Sequence, residues 1–92
     1  MSILRMPAVK VETGHKSHAS IYAAIKVGLF TTGVPIGRRA VGWPSEEVHA
    51  INAARIAGKS ETEIRELVCR LHLKRIELAM VHTPLNQIGG QL

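Results

Sequence analysis

The sequence predicts a small, mainly α-helical protein that carries one β-hairpin. With 92 residues, the chain is long enough for one hydrophobic core and too short for two. Several segments space their apolar residues three or four apart, as one face of a helix requires. In the middle of the chain, apolar residues alternate instead, which is the period of a strand. The expected order is two short helices, a hairpin and two further helices.

The first two helices are predicted to be short and close together. Apolar residues between Arg5 and Thr13 share one helical face, and Gly14 follows in the position of a helix-ending glycine. After a polar turn, Ala19 to Val27 forms a second amphipathic segment, which Gly28 ends. Two short helices joined by a tight turn that contains glycine are the elements of a helix-turn-helix.

A β-hairpin is predicted around the basic tip Gly37 to Arg39, because the apolar residues alternate on both sides of it. Pro35 has no backbone N–H to donate, so its strand is expected at a sheet edge, as in a two-stranded wing. Trp43 ends the second strand and is expected in the core, since a lone tryptophan in an apolar strand is usually buried. The predicted fold is therefore a winged helix-turn-helix.

Two more helices follow the hairpin. Ser45 is predicted to cap the third helix, with the carboxylates of Glu46 and Glu47 in its first turn. Ser60 and Glu63 have the spacing of a capping box at the start of the fourth helix. The prediction divides the chain into a winged helix-turn-helix domain (residues 1–58), a C-terminal helix that packs on it and can mediate self-association (59–82), and a flexible tail (83–92).

Charge and composition indicate the kind of partner. Lys and Arg number 12 against 7 acidic residues, which gives a net charge of +5. A positive charge this large on a small chain favours a polyanionic partner. Nucleic acid is the first candidate and an anionic membrane surface the second. The longest stretch without an acidic residue, Lys, Arg or His, Val27 to Gly37, is far shorter than the roughly 20 apolar residues that span a bilayer. The lone Cys69 cannot form an internal disulfide, so we expect a cytoplasmic protein. With DNA as its partner, the protein would be nucleoid-associated when bound.

The wing block is the most specific motif of the sequence, and in it Gly37 precedes the run Arg39 to Trp43. The residues that accompany it in the same pattern are Arg5, Val9, Thr13, Gly14, Ile21, Tyr22, Ile25, Lys26, Gly28, Phe30, Glu47 and Val48. On these residues, the segment from Ile3 to Ala57 resembles the AlpA family of prophage regulatory proteins, whose DNA-binding domain is a MerR-like winged helix related to phage excisionases. The resemblance implies transcription regulation or control of prophage excision.

The predicted fold assigns DNA contacts to two elements. The second helix of a winged helix-turn-helix enters the major groove, and the wing lies along the backbone or the adjacent minor groove. At the wing tip, the guanidinium groups of Arg38 and Arg39 can grip phosphates bidentately or enter a narrow minor groove. The residues expected near bases are Lys16, Ser17, His18 and Ser20, and those expected on the backbone are Tyr22 and Lys26.

No catalytic or metal-binding pattern stands out in the sequence. His15 and His18 lie three apart, but no cysteine or acidic cluster completes a metal site around them. Cys69 is expected as a small buried hydrophobe in a helix, without the paired histidine and acid of a nucleophile. We therefore expect no enzymatic activity, no cofactor and no metal.

Three functions remain open. The first is a sequence-specific regulator that binds double-stranded DNA as a homodimer or as tandem copies. The second is an excisionase-like architectural factor that bends DNA and contacts an integrase or another recombinase. The third is a protein-interaction module that acts through the final helix. The apolar surface of that helix is wider than one small core needs, and its residues are Leu67, Leu71, Leu73, Ile76 and Leu78.

Overall fold

The computed structural model describes residues 2–82, and the predicted tail over 83–92 lies outside them. The chain is mainly helical with one small sheet, which confirms the predicted winged helix-turn-helix with an additional C-terminal helix. The elements are β1 (Ile3–Arg5), α1 (Met6–Thr13), α2 (His18–Lys26), β2 (Val34–Pro35), β3 (Val41–Pro44), α3 (Ser45–Ile56) and α4 (Glu61–His82).

The sheet has three strands where the sequence predicted two. Its order is β1-β3-β2, and both pairings are antiparallel. Leu4 of β1 lies opposite Trp43, and Pro35 of β2 lies opposite Val41. Pro35 is on an edge strand as predicted, but the first strand was missed, because three residues are too few to show a period of two.

The helix ends follow their glycines, but one predicted cap is wrong. Gly14 and Gly28 both adopt positive φ, 78° and 81°, directly after α1 and at the end of α2. Ser45 does not cap α3, because β3 runs straight into that helix and Pro44 occupies the cap position. The Ser45 hydroxyl instead accepts a hydrogen bond from the Ser2 N–H (3.1 Å), and its own N–H donates to the Ser2 carbonyl (2.7 Å). Ser45 thus fastens the start of β1.

The core lies between the sheet and the helices. Trp43 is fully buried, and its indole N–H donates to the Thr31 carbonyl at 2.8 Å. Its ring packs at a tilt against Phe30, with the centroids 6.2 Å apart. The predicted structural role of Trp43 is therefore confirmed. The buried hydrophobic residues are Met6, Val9, Ile21, Ala24, Phe30, Trp43, Val48, Ile51, Ile64 and Val68.

Helix α4 docks on this core along one face. The capping box at its start is confirmed, since the Glu63 N–H donates to Ser60 Oγ (3.2 Å) and the Ser60 N–H to Glu63 Oε1 (3.1 Å). Val68 is buried, whereas Cys69 is exposed, so the prediction of a buried cysteine is wrong. Neighbouring helical residues point about 100° apart, which turns Cys69 away from the core. Among residues 2–82, no helix is both long and apolar enough to cross a bilayer.

Candidate nucleic-acid interface

The start of α2 and the wing border the same groove. This shallow groove, about 200 Å³ in volume, is lined by His18 and Tyr22 from α2 and by Arg39 from the wing. Arg5, at the end of β1, lines it as well. The remaining lining residues are Met6, Pro7, Ala40 and Val41. Two basic side chains and the first turns of α2 therefore face one concave surface.

The turn before α2 is fixed by its own hydrogen bonds. Ser17 is the N-cap of α2, and its hydroxyl accepts from the Ser20 N–H at 3.1 Å. The Ser20 hydroxyl is hydrogen-bonded to Nδ1 of His15. Two of the predicted base-contacting residues thus hold the turn together, while the side chains of Lys16 and His18 stay exposed.

His15 has an altered protonation equilibrium. Burial, and then the positive charge of Arg55, lower the pKa of its imidazole below 6.5. The neutral ring is the form that can either donate to or accept from the Ser20 hydroxyl through Nδ1. At neutral pH, His15 is therefore a neutral structural partner of α2 rather than a cation for DNA.

The wing presents its two arginines at a closed tip. The Ile36 N–H donates to the Ala40 carbonyl at 3.0 Å, which closes the turn around Arg38 and Arg39. Both side chains are exposed, and neither makes an ion pair within the described residues. Their guanidinium groups are therefore available to an external anion.

Not every predicted site residue faces the groove. Lys26 is in the last turn of α2, eight residues beyond His18 and so roughly 12 Å along the helix. The next residue, Val27, accepts a hydrogen bond from Arg65 Nε of α4 at 2.9 Å. Lys26 thus lies at the α4 end of α2, away from the groove.

Arg5 was not among the predicted site residues. It was expected at the start of the first helix, whereas the structure puts it in β1, opposite Gly42 of β3. That position brings its exposed side chain to the groove beside Arg39. The wing motif could have indicated that Arg5 lies at the groove only if the pairing of β1 with β3 had been recognised.

The net positive charge belongs to the part of the chain that builds this groove. Residues 2–44 contain six basic side chains and one acidic one, whereas residues 45–92 contain six of each. The first half therefore carries the whole excess of +5. The excess positive charge therefore lies in the segment of the chain that contains every residue lining the groove.

Neither a metal-binding cluster nor a facing pair of carboxylates is found in the part of the chain that the structure describes. No three or more histidine, cysteine, aspartate or glutamate side chains within residues 2–82 are grouped to hold a metal ion. Glu46 and Glu47, the adjacent carboxylates, also separate: Glu46 is exposed and Glu47 is buried in an ion pair with Arg75.

The fold that carries this groove is of the winged helix-turn-helix class, to which α4 is added. The family model of the prophage CP4-57 regulatory protein (AlpA) matches residues 2–56. The chain therefore belongs to the AlpA family of phage-type regulatory proteins, and the resemblance found in the wing block is confirmed. No curated protein matches the chain, and no solved structure does. The matched segment contains β1, the groove and the whole of α3, and it ends before α4.

Proposed function

We propose that this protein is a sequence-specific transcriptional regulator that places the start of α2 in the major groove of DNA and the wing tip on the adjacent backbone or minor groove. The observation that carries the proposal is the shared groove, in which His18 and Tyr22 of α2 lie beside Arg39 of the wing. One duplex can touch both elements only if they face the same side.

The side chains divide between reading and holding the DNA. Lys16 and His18 are exposed at the start of α2 and can donate to purine acceptors in the major groove. Arg38, Arg39 and Arg5 provide guanidinium groups for phosphates, which fix the register but carry no sequence information themselves. Ser17 and Ser20 support recognition indirectly, because their hydrogen bonds set the direction in which α2 leaves the turn.

Selection of bound duplexes from a random pool, followed by titration of the selected duplex, tests the proposal. The Arg38→Ala/Arg39→Ala variant should fold normally and bind the selected duplex about 10- to 150-fold more weakly for each arginine lost, since hydrogen bonds to charged groups contribute about 1.5 to 3 kcal/mol. Binding by this variant equal to that of the unaltered protein would reject the wing assignment.

A matched control separates a specific site from bulk charge. Lys59→Ala/Lys74→Ala also removes two positive charges, but from exposed positions outside the groove. This control should retain nearly all of the affinity. If both double variants lose affinity equally, the wing is not a contact site and binding depends on net charge alone. An integrase or recombinase partner stays a prediction.

A further inference from the structure

Helix α4 carries a second apolar face that the fold does not cover. One face packs on the core through Ile64 and Val68, which are both buried. On the solvent side, Leu73 and Ile76 are each 59% exposed and Met80 is 68% exposed. Cys69 is exposed on the same side. These four residues, Cys69, Leu73, Ile76 and Met80, form the outer stripe.

The outer stripe has the spacing of a coiled-coil seam. Its members are separated by four, three and four residues, which is the alternation of a and d positions in a heptad. One turn and two turns before Cys69, the same face carries Glu66 and Thr62, so the apolar seam begins at Cys69. A helix with this pattern fits another helix of the same pattern, packed knobs into holes.

The charged residues beside the outer stripe of one α4 are complementary to those of a second, antiparallel α4. Arg70 and Glu77 occupy the flanking e positions when Leu73 is an a position. Both are exposed, and neither forms an ion pair within the described residues. When two copies of α4 pack antiparallel, Arg70 of each copy meets Glu77 of the other. A dimer with two-fold symmetry therefore contains two such Arg70–Glu77 pairs, and every one of these four side chains has an oppositely charged partner.

A parallel arrangement lacks this complementarity. It would bring Arg65 of one copy against Arg70 of the other, because g and e positions pair across parallel helices. It would also set the two Glu66 carboxylates opposite each other. Like charges at these positions oppose association, so the sequence of the outer stripe selects the antiparallel orientation.

We propose that the protein forms a homodimer in which the outer stripes of two α4 helices pack antiparallel. In this register Leu73 contacts Ile76 of the second copy, and Cys69 contacts Met80 of the second copy. No residue of the outer stripe lines the basic groove, which is built from β1, α1, α2 and the wing. The inference adds a partner to the proposed function without depending on DNA binding.

Light scattering and sedimentation of the full chain without DNA test the association. The unaltered protein should show the mass of a dimer that dissociates on dilution, and Ile76→Asp should be monomeric at every concentration. Ile56→Asp is the matched control, because Ile56 is 87% exposed at the end of α3 and outside the outer stripe. A monomer at all concentrations for the unaltered protein, or equal dimerisation by Ile76→Asp, would overturn the proposal.

Charge exchange tests the orientation. Arg70→Glu or Glu77→Arg alone should weaken the dimer, because each change turns both intermolecular contacts between positions 70 and 77 into contacts between like charges. The Arg70→Glu/Glu77→Arg double variant should recover the dimer, because the pair is restored with its signs exchanged. A double variant no tighter than either single variant would reject the antiparallel register.

Disulfide trapping gives a second measure of orientation. In the antiparallel register the two Cys69 residues are displaced by eleven positions, roughly 16 Å along the helix, which is beyond the reach of a disulfide. Mild oxidation should therefore leave the unaltered protein uncrosslinked. Met80→Cys should yield a covalent dimer joined between residue 69 and residue 80. Rapid crosslinking of the unaltered protein through Cys69 would instead indicate parallel helices and overturn the register.

Discussion

Arg75 and Glu47 form a bidentate ion pair that fastens α4 to α3. Arg75 Nε lies 2.7 Å from Glu47 Oε2, and Nη2 lies 2.6 Å from Oε1. The same guanidinium group donates to the Thr32 hydroxyl (3.2 Å) and to the Thr32 carbonyl (2.7 Å). One side chain therefore joins the C-terminal helix to α3 and to the loop that precedes the wing.

Removal of Arg75 should be strongly destabilising. The Glu47 side chain is only 7% exposed, so Arg75→Met would leave a buried carboxylate without its partner. We expect the free energy of unfolding to fall by about 3 kcal/mol, measured by urea denaturation. Lys74→Met is the control, since the neighbouring Lys74 is exposed and forms no ion pair in the described chain, and it should change stability by less than about 0.5 kcal/mol. Equal losses for the two variants would contradict the structural role of the pair.

Gly42 is required by the close approach of β1. A Cβ at this position would overlap Cγ2 of Ile3 and lie 3.2 Å from the Leu4 carbonyl oxygen. Gly42→Ala should therefore force β1 away from β3 and cost about 1 to 3 kcal/mol in thermal or urea unfolding. Gly37→Ala is the matched control, because its Cβ would meet only Ala40 Cβ at 3.8 Å.

The steric origin of the Gly42 effect can be checked by rescue. Ile3 is half exposed, so Ile3→Ala alone should cost little. In the Gly42→Ala background the same change removes the atom that clashes, and part of the lost stability should return. A strictly additive double variant would show that the contact with Ile3 is not the cause.

The sequence predicted local structure well and long-range pairing poorly. The amphipathic periods, Gly14, Gly28 and the Ser60–Glu63 box are local signals, and each describes its helix correctly. β1 and its pairing with β3 depend on residues about 40 positions apart, which no local period records. Arg5 was missed as a groove residue for the same reason, whereas the wing arginines could be found because the hairpin is local.

His15 should make folding sensitive to acid. Burial and Arg55 lower the pKa of its imidazole in the folded protein below 6.5, so the unfolded chain takes up a proton first as the pH falls. The contribution of His15 to stability is full above pH 6.5 and is lost as the pH falls through the lowered pKa of the folded state. His15→Gln should reduce the loss of unfolding free energy between about pH 7.5 and about pH 5.

The exposed His18 supplies the control for this acid sensitivity. His18→Gln changes a histidine on the same turn, whose side chain is exposed, and it serves as the matched variant. If His15→Gln and His18→Gln respond to pH alike, the environment of His15 is not the source of the effect.

Arg5 should contribute one phosphate contact that the sequence did not predict. Its exposed side chain lines the groove beside Arg39, so a duplex held by the wing passes within its reach. Each phosphate contact adds roughly 0.9 to the slope of log K against log salt concentration, so Arg5→Ala should make that slope shallower by about 1. Lys74→Ala, which removes a charge from α4, should leave the slope unchanged. A slope for Arg5→Ala equal to that of the unaltered protein would place the DNA further from β1, on the outer side of the wing.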